Sequence, residues 1–151
     1  MENFESVEAV LDFAIAREEE AFELYHRLAS RAENKQMKQV FTGFAEVEAG
    51  HKRRLEGIKE GETYLPIHQH ISDLKISDYL VAAGPSPDMS FEDALVLAMK
   101  REEAAKNLYT DMAKNSKDAM LTELFRQLAR EESTHKNRFE IMYDDLFLKE
   151  N

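Results

Sequence analysis

Residues 48–51 read Glu-Ala-Gly-His, and residues 132–135, which lie 84 positions later, read Glu-Ser-Thr-His. Around these two motifs, residues 11–55 align with residues 95–139 without a gap, and 15 of the 45 aligned positions are identical. A gapless match of this length indicates two copies of one helical hairpin. An apolar core explains the repeated alanines and leucines. It does not explain the repeated polar pairs, which are Glu18/Glu102, Tyr25/Tyr109, Glu48/Glu132 and His51/His135.

The bulk composition limits the class of protein. A chain of 151 residues is expected to form one domain, residues 1–151, with a substantial core. Its net charge of −10 argues against binding to nucleic acid or to an anionic membrane surface, which requires a basic face. No run approaches the ~20 apolar residues of a membrane span. The acidic start of the chain lacks the features of a signal peptide, and cysteine is absent, so a cytoplasmic location is expected.

Helical periodicity accounts for most of the chain. Apolar residues recur at steps of three and four, the spacing of a stripe that faces a bundle core. We predict helices over about 6–31 and 34–60 in the first repeat (about 5–60), and from Ser90 and from Lys117 or Asp118 in the second (about 90–148). The stripe of the last helix is predicted to extend to Leu146. Glu18, Glu102 and both Glu-x-x-His pairs fall in the middle of these stripes.

The two repeats are joined by a long crossover, about residues 61–89, which glycine and proline interrupt. Part of it, residues 71–82, is predicted to form a short helix. A connection of this length suits a chain that returns to the far end of a bundle. Alternatively, it lets the second hairpin exchange into a partner chain. The predicted fold is therefore all-α, a four-helix bundle made of two repeated helical hairpins.

Four carboxylates and two imidazoles are predicted to point into one apolar core. Burying ionised carboxylates without compensation costs several kcal/mol each, and no lysine or arginine occupies a central position of the stripes. Two divalent cations would balance the four charges, and within each Glu-x-x-His both side chains can reach one ion. The alternative is a buried polar network without metal. The predicted metal ligands are Glu18, Glu48, His51, Glu102, Glu132 and His135.

The chain resembles the rubrerythrin branch of the ferritin-like di-iron superfamily. The resemblance covers nearly the whole chain except the crossover. It rests on Arg17-Glu18-Glu19 with Tyr25, on Arg101-Glu102-Glu103 with Tyr109, and on the two Glu-x-x-His motifs. It implies that Glu48 and Glu132 bridge two metals, that His51 and His135 each terminate one, and that the tyrosines donate to ligand carboxylates. Since each tyrosine lies ~10 Å along the axis from the glutamate of its own helix, it should serve another helix. The alternative for both is a core tyrosine bonded to backbone.

Two departures from the familiar rubrerythrins are visible. Those proteins carry a rubredoxin-like domain with four cysteines, and this chain has no cysteine. They also carry an extra carboxylate where this chain has Ala105, the equivalent of Ala21. The site is therefore expected to be nearly symmetric with six protein ligands. Electrons are expected from a separate donor such as a rubredoxin or a flavoprotein.

The resemblance implies a di-iron peroxidase or oxidase that reacts with hydrogen peroxide or dioxygen in defence against oxidative stress. Iron is the expected metal, and manganese is the alternative. Two other functions remain open. One is iron binding or sequestration with ferroxidase activity, and the other is a metal-stabilised bundle without turnover. A homodimer, domain-swapped or not, is expected by analogy.

Several other polar residues are assigned to the surface. A third Glu-x-x-His, Glu23 to His26, faces away from the apolar stripe, and Glu19 and Glu20 are assigned to solvated faces. The linker histidines, His68 and His70, are assigned to a solvated loop. Arg17 and Arg101 precede ligands in both repeats and are candidates for outer ion pairs.

Overall fold

Four α-helices of 25 residues each make up most of the computed structural model, which describes residues 4–61, 71, 74–81 and 89–148. They are α1 (Val7–Arg31), α2 (Lys35–Lys59), α3 (Phe91–Asn115) and α4 (Ala119–Tyr143). A 3-10 helix, Ile76–Tyr79, lies in the crossover, and a π-helical segment, Asp144–Leu148, follows α4. The described ranges contain no strand. The predicted all-α bundle of two hairpins is confirmed.

Each helix begins where a short polar side chain caps it. The side chain of the N-cap residue accepts a hydrogen bond from the backbone N–H three positions later, which satisfies one of the otherwise unpaired amides of the first turn. The four caps are Ser6, Asn34, Ser90 and Asp118. The equal helix lengths follow from the repeat. The four observed helix starts and the ends of α1 and α2 agree with the predicted ones to within one or two residues.

Two apolar clusters pack on either side of the middle of the bundle. One joins the first turns of α1 and α4 to the last turns of α2 and α3, and includes Leu11, Leu55, Met112, Leu121 and Phe125. The other joins the opposite helix ends, and includes Leu28, Phe41, Leu95 and Phe139. Therefore α1 runs antiparallel to α2 and α3, while α2 and α3 are parallel. The chain must cross the length of the bundle between α2 and α3, as the long connection predicts.

Part of the crossover is anchored on the bundle. The short helix predicted over residues 71–82 is observed as the four-residue 3-10 helix, while residues 72–73 and 82 lie outside the described ranges. Tyr79 is buried, and its hydroxyl donates to Asp111 Oδ2 on α3 at 2.7 Å. The backbone N–H of Phe4 donates to the carbonyl of Leu74 at 3.1 Å. These contacts hold the segment against the end of the bundle that contains the first turns of α1.

The predicted extension of the α4 stripe to Leu146 is wrong. The last buried side chain of this row is Phe139, and Met142 is half-buried. Leu146 is 44% exposed, and its neighbours Phe147 and Leu148 are exposed as well. Apolar periodicity predicts which face of a helix can be buried, but burial also requires a neighbouring element. The chain also changes to a π-helical turn at Asp144, which rotates later side chains out of the α-helical row.

No helix among the described residues is long and apolar enough to cross a membrane.

Candidate metal centre

The six polar residues of the apolar stripes lie at matching depth in the bundle. Glu18 and Glu102 each lie eleven residues after the first residue of α1 and α3. Glu48 and Glu132 each lie thirteen residues after the first residue of α2 and α4. Because the helices have equal lengths and α1 and α4 run antiparallel to α2 and α3, these positions meet between the two apolar clusters. All six residues are buried, and none is more than 6% exposed.

The histidine ring nitrogens are close to carboxylates of both hairpins. His51 Nδ1 lies 3.1 Å from Glu132 Oε1, 3.5 Å from Glu18 Oε2 and 3.7 Å from Glu48 Oε2. His135 Nδ1 lies 2.9 Å from Glu48 Oε1 and 3.6 Å from Glu102 Oε1. Each imidazole therefore presents Nδ1 to the glutamate of the facing or its own Glu-x-x-His motif and to the single buried glutamate of α1 or α3.

Two overlapping groups of potential ligand atoms result. Glu18, Glu48, His51 and Glu132 form one group, and Glu48, Glu102, Glu132 and His135 form the other. Within each group, the ligand atoms lie within 4.8 Å of one another. Glu48 and Glu132 belong to both groups, so their carboxylates have the position that bridging between two ions requires. The buried Glu/His cluster is therefore of a di-metal type.

Each buried tyrosine hydroxyl donates to a carboxylate on the opposite hairpin. Tyr109 on α3 donates to Glu18 Oε1 on α1 at 2.6 Å, and Tyr25 on α1 donates to Glu102 Oε1 on α3. Both tyrosines are almost completely buried. The exchange follows from the antiparallel arrangement of α1 and α3, which brings each tyrosine near the glutamate of the other helix. The prediction that each serves another helix is confirmed, and the backbone alternative is wrong.

Crowding of the carboxylates changes their protonation. Burial raises the pKa of Glu48 well above its usual value, and the charges of Glu18 and Glu102 raise it further. Burial also raises the pKa of Glu132, and Glu102 and Glu48 add to the effect.

The pKa values of two other groups of the cluster shift because nearby polar side chains outweigh burial. Burial opposes the charged form of Glu18, but the neighbouring Glu48 and His51 side chains lower its pKa. Burial would lower the pKa of His51, but Glu132 and Glu18 raise it. Without metal, the cluster therefore holds protons on groups that a cation would occupy.

Several cluster atoms have no hydrogen bond within the described part of the chain, although they are shielded from solvent. Buried polar atoms are normally paired, so such a group of orphans requires an explanation. None of the four carboxylates forms an ion pair with a lysine or arginine of the described ranges. Divalent cations would satisfy oxygen and nitrogen donors together, so these residues fit a two-metal centre. The orphaned atoms are Glu18 Oε2, Glu48 Oε2, Glu102 Oε2, Glu132 Oε1 and both ring nitrogens of His51.

A narrow pocket between α1 and α3 reaches this cluster. All four buried glutamates and Tyr109 line it, as do the small side chains of Ala21 and Ala105. Its cavity volume is about 40 Å³, which suits a molecule the size of water or hydrogen peroxide. Tyr79 and Val81 of the crossover also line it.

Two arginines at equivalent repeat positions line the same pocket and share one carboxylate. Arg17 Nη2 lies 2.7 Å from Glu20 Oε1, and Arg101 Nη1 lies 2.6 Å from Glu20 Oε2. The Arg101 side chain is only 10% exposed. Arg17 and Arg101 are therefore outer ion-pair partners of Glu20 and not of the ligands. Glu20 lies on a solvated face, as predicted, with 38% of its side chain exposed, but its carboxylate also joins α1 to α3.

The remaining sequence assignments are placed as follows. Glu23 and His26 are exposed, as predicted, and the His26 ring packs on Phe22. His68 and His70 lie outside the described residues. Sequence reasoning missed Glu131, whose Oε2 lies 3.5 Å from His51 Nε2. The sequence feature that could have identified Glu131 is a mismatch between the repeats, because the equivalent residue in the first repeat is Val47.

Comparison with known proteins agrees with this geometry. The sequence model of the rubrerythrin family matches residues 9–69 and 93–151. No curated protein matches the chain significantly. Among solved structures, a crystal structure from Thermotoga maritima, described as a ferritin-like diiron-carboxylate protein, superposes with a TM-score of 0.80 at 18% identity. That match covers 95% of this chain and 97% of the other. A hypothetical protein from Pyrococcus furiosus superposes with a TM-score of 0.70 at 26% identity, covering 92% and 89%.

Proposed function

The chain belongs to the rubrerythrin family, and from that premise we propose that it is a di-iron oxidoreductase that reduces hydrogen peroxide or dioxygen with electrons from a separate donor protein. The observation that carries the proposal is the pocket between α1 and α3, which has room for a peroxide-sized molecule beside the four buried glutamates of the cluster. A cluster with a purely structural role would not require such access.

Two iron ions would be held by the two overlapping groups of four potential ligand residues. Glu48 and Glu132 would be shared, and Glu18 with His51, and Glu102 with His135, would complete one position each. Four carboxylates balance the charge of two divalent ions, and neutral imidazoles add none. Bound iron would supply two electrons to the oxidant and would be reduced again by the external donor.

The surrounding side chains position the ligands and limit access. Tyr25 and Tyr109 each hold one oxygen of a glutamate by a hydrogen bond, which fixes the carboxylate rotamer across the α1–α3 face. Arg17, Glu20 and Arg101 also line the pocket between these helices, where their pairing would limit access. Oxygen and mixed oxygen–nitrogen donors suit iron or manganese better than soft-ligand metals. Iron is proposed, and manganese would redirect the chemistry toward peroxide disproportionation.

The reductant is proposed to be a rubredoxin or a flavoprotein. This chain contains no cysteine and therefore no iron–sulfur centre of its own. Such a donor, together with a role against oxidative stress, is consistent with the cytoplasm. The homodimer, with or without exchange of the second hairpin, stays a prediction. The exposed apolar side chains of Ile141, Leu146, Phe147 and Leu148 support association through this end of α4.

The test begins with metal content. Protein purified without added metal is analysed for iron, manganese and zinc, and the His51→Ala/His135→Ala double variant serves as the comparison. We expect two irons per chain in the wild type and a large loss in the double variant. The iron(II) protein is then mixed rapidly with hydrogen peroxide or with dioxygen, and iron oxidation is followed by absorbance. An oxidation rate no faster than that of free iron(II) would contradict the proposal. Binding of many more than two irons per chain would favour sequestration instead.

A further inference from the structure

A second-layer carboxylate lies behind only one of the two cluster histidines. Glu131 Oε2 is 3.5 Å from His51 Nε2, at the long limit of a hydrogen bond, and Arg54 Nη1 is 3.9 Å from the same oxygen. This oxygen is shielded from solvent and has no hydrogen bond within the described part of the chain. Because His51 turns Nδ1 toward the ligand carboxylates, its Nε2 faces Glu131.

The equivalent position in the first repeat holds Val47, so His135 has no such partner. In the described ranges, no carboxylate lies within 4 Å of His135 Nε2. The His135 ring packs instead against the Phe44 ring, with centroids 4.7 Å apart. Arg138, the repeat equivalent of Arg54, lies over the face of Phe44 at 4.9 Å. The surroundings of His51 are therefore ionic, and those of His135 are aromatic and apolar.

We propose that Glu131 is a positioning residue for His51 and makes the two metal positions unequal, so that the position at His51 binds a divalent ion more tightly than the position at His135. The inference rests on the proposed two-metal function. It replaces the expectation of a nearly symmetric site, because the six ligands are symmetric but the layer behind them is not.

The physical reason is the second hydrogen bond of a metal-bound imidazole. A histidine that binds a cation through Nδ1 keeps its proton on Nε2. A carboxylate that accepts this proton fixes the ring orientation and increases the donor strength of the bound nitrogen. Loss of such a partner typically reduces metal affinity by about 10–100-fold. His135 has to hold its ring by packing alone, and packing against Phe44 does not increase the electron density on the ring.

The two positions can be measured separately by removing one histidine at a time. Metal-free His135→Ala retains the position at His51, and metal-free His51→Ala retains the position at His135. Each is titrated calorimetrically with Mn²⁺, which avoids the oxidation chemistry of iron. We expect the first Mn²⁺ to bind more tightly to His135→Ala than to His51→Ala, by about 10–100-fold.

Glu131→Gln is then introduced into each single variant. It keeps the shape of the side chain but removes the charge. We expect it to weaken Mn²⁺ binding in the His135→Ala background to the level of the other position, and to leave the His51→Ala background unchanged. Val47→Glu, which copies the second repeat into the first, should tighten binding in the His51→Ala background. Glu46→Gln removes an exposed carboxylate beside Val47 and should change neither affinity.

The outcomes separate this inference from the proposed function. Equal affinities of the two single-histidine variants, or an equal loss in both backgrounds on Glu131→Gln, would overturn the inference and leave the two-metal centre standing. Failure of the wild type to bind Mn²⁺ or Fe²⁺ would overturn both. A general structural role of Glu131 would lower thermal stability in both backgrounds without the selective change in affinity.

Discussion

The Tyr109 hydroxyl on α3 donates a hydrogen bond to Glu18 Oε1 on α1 at 2.6 Å, and both residues are buried in the core. This contact joins the two hairpins at the level of the metal cluster, and Tyr25 makes the reciprocal contact with Glu102. Since the donors come from the helices that flank the pocket, they link the position of the ligands to the separation of α1 and α3.

Replacing Tyr109 with phenylalanine should destabilise the protein by about 1–3 kcal/mol, because Glu18 would keep a buried oxygen without a donor. Tyr25→Phe should have a similar effect through Glu102. The free energy of unfolding in urea measures the change, and metal content of the same samples reports ligand positioning. Tyr143→Phe, a hydroxyl remote from the cluster, is the control. Unfolding energies equal to that of the control would show that the tyrosines act as packing alone.

The metal-free protein should become less stable as the pH rises from about 5 to about 9. The pKa values of Glu48 and Glu132 lie above the ordinary 4.5, and that of His51 lies above the ordinary 6.5. These groups bind protons more tightly in the native state, so their contribution is complete at low pH and is lost as the pH rises through the native pKa values. Glu18, whose pKa is lowered, has the opposite effect. Its contribution to stability is present at higher pH and is lost only as the pH falls below about 4.5.

Thermal unfolding of chelator-treated protein across this pH range measures the effect. In the metal-loaded protein, the stabilisation gained from metal should increase with pH. Cation binding displaces these protons and is therefore favoured at higher pH. A metal-free melting temperature that rose steadily from pH 5 to 9 would contradict the assignment of the extra protons to the cluster.

Glu48→Gln should separate stability from metal binding. Burial raises the pKa of Glu48 well above its ordinary value and so favours the neutral form of the metal-free side chain, which glutamine resembles. We expect the unfolding free energy of the metal-free variant to change by less than about 1 kcal/mol. The same variant should lose the stabilisation that metal gives the wild type. Melting temperatures measured with and without Fe²⁺ under anaerobic conditions test this loss of stabilisation. Glu46→Gln on the exposed face is the matched control.

Glu20→Ala places at position 20 the residue that the second repeat has at position 104. It frees two guanidinium groups, one of which is nine-tenths buried, and should cost about 1–3 kcal/mol of stability. The α1–α3 passage should also become wider, so that oxidation of the iron(II) protein by tert-butyl hydroperoxide approaches the rate with hydrogen peroxide. The ratio of the two rates, measured by rapid mixing, is the readout. Glu23→Ala, an exposed neighbour on α1, should leave the ratio unchanged. An unaltered ratio in Glu20→Ala would show that access does not pass the Arg17–Glu20–Arg101 pairing.

Local sequence determined the helices and the identity of the buried polar residues. Caps such as Ser6 and Asn34 act within one turn, and apolar spacing of three and four depends only on the geometry of a single helix. The repeat then placed Glu18 with Glu102, and His51 with His135, at equal distances from the helix starts. The same reasoning failed at Leu146, because the periodic row continues past the last helix that could cover it.

The tertiary structure decided every relationship that depends on which helices face each other and how their side chains turn. Spacing excluded a bond between Tyr109 and its own Glu102, but only the antiparallel approach of α1 and α3 selected Glu18. Glu20 and Glu131 lie on flanks that periodicity assigns to solvent. Both stay partly exposed, but neighbouring helices bring Arg101 and His51 within ion-pair distance of their carboxylates. The sequence by itself therefore determined that a six-residue centre forms, since this follows from periods along one helix. Three features arise from contacts between helices and cannot be read from a single helix. They are the pocket, the Arg17–Glu20–Arg101 pairing beside it, and the different surroundings of His51 and His135.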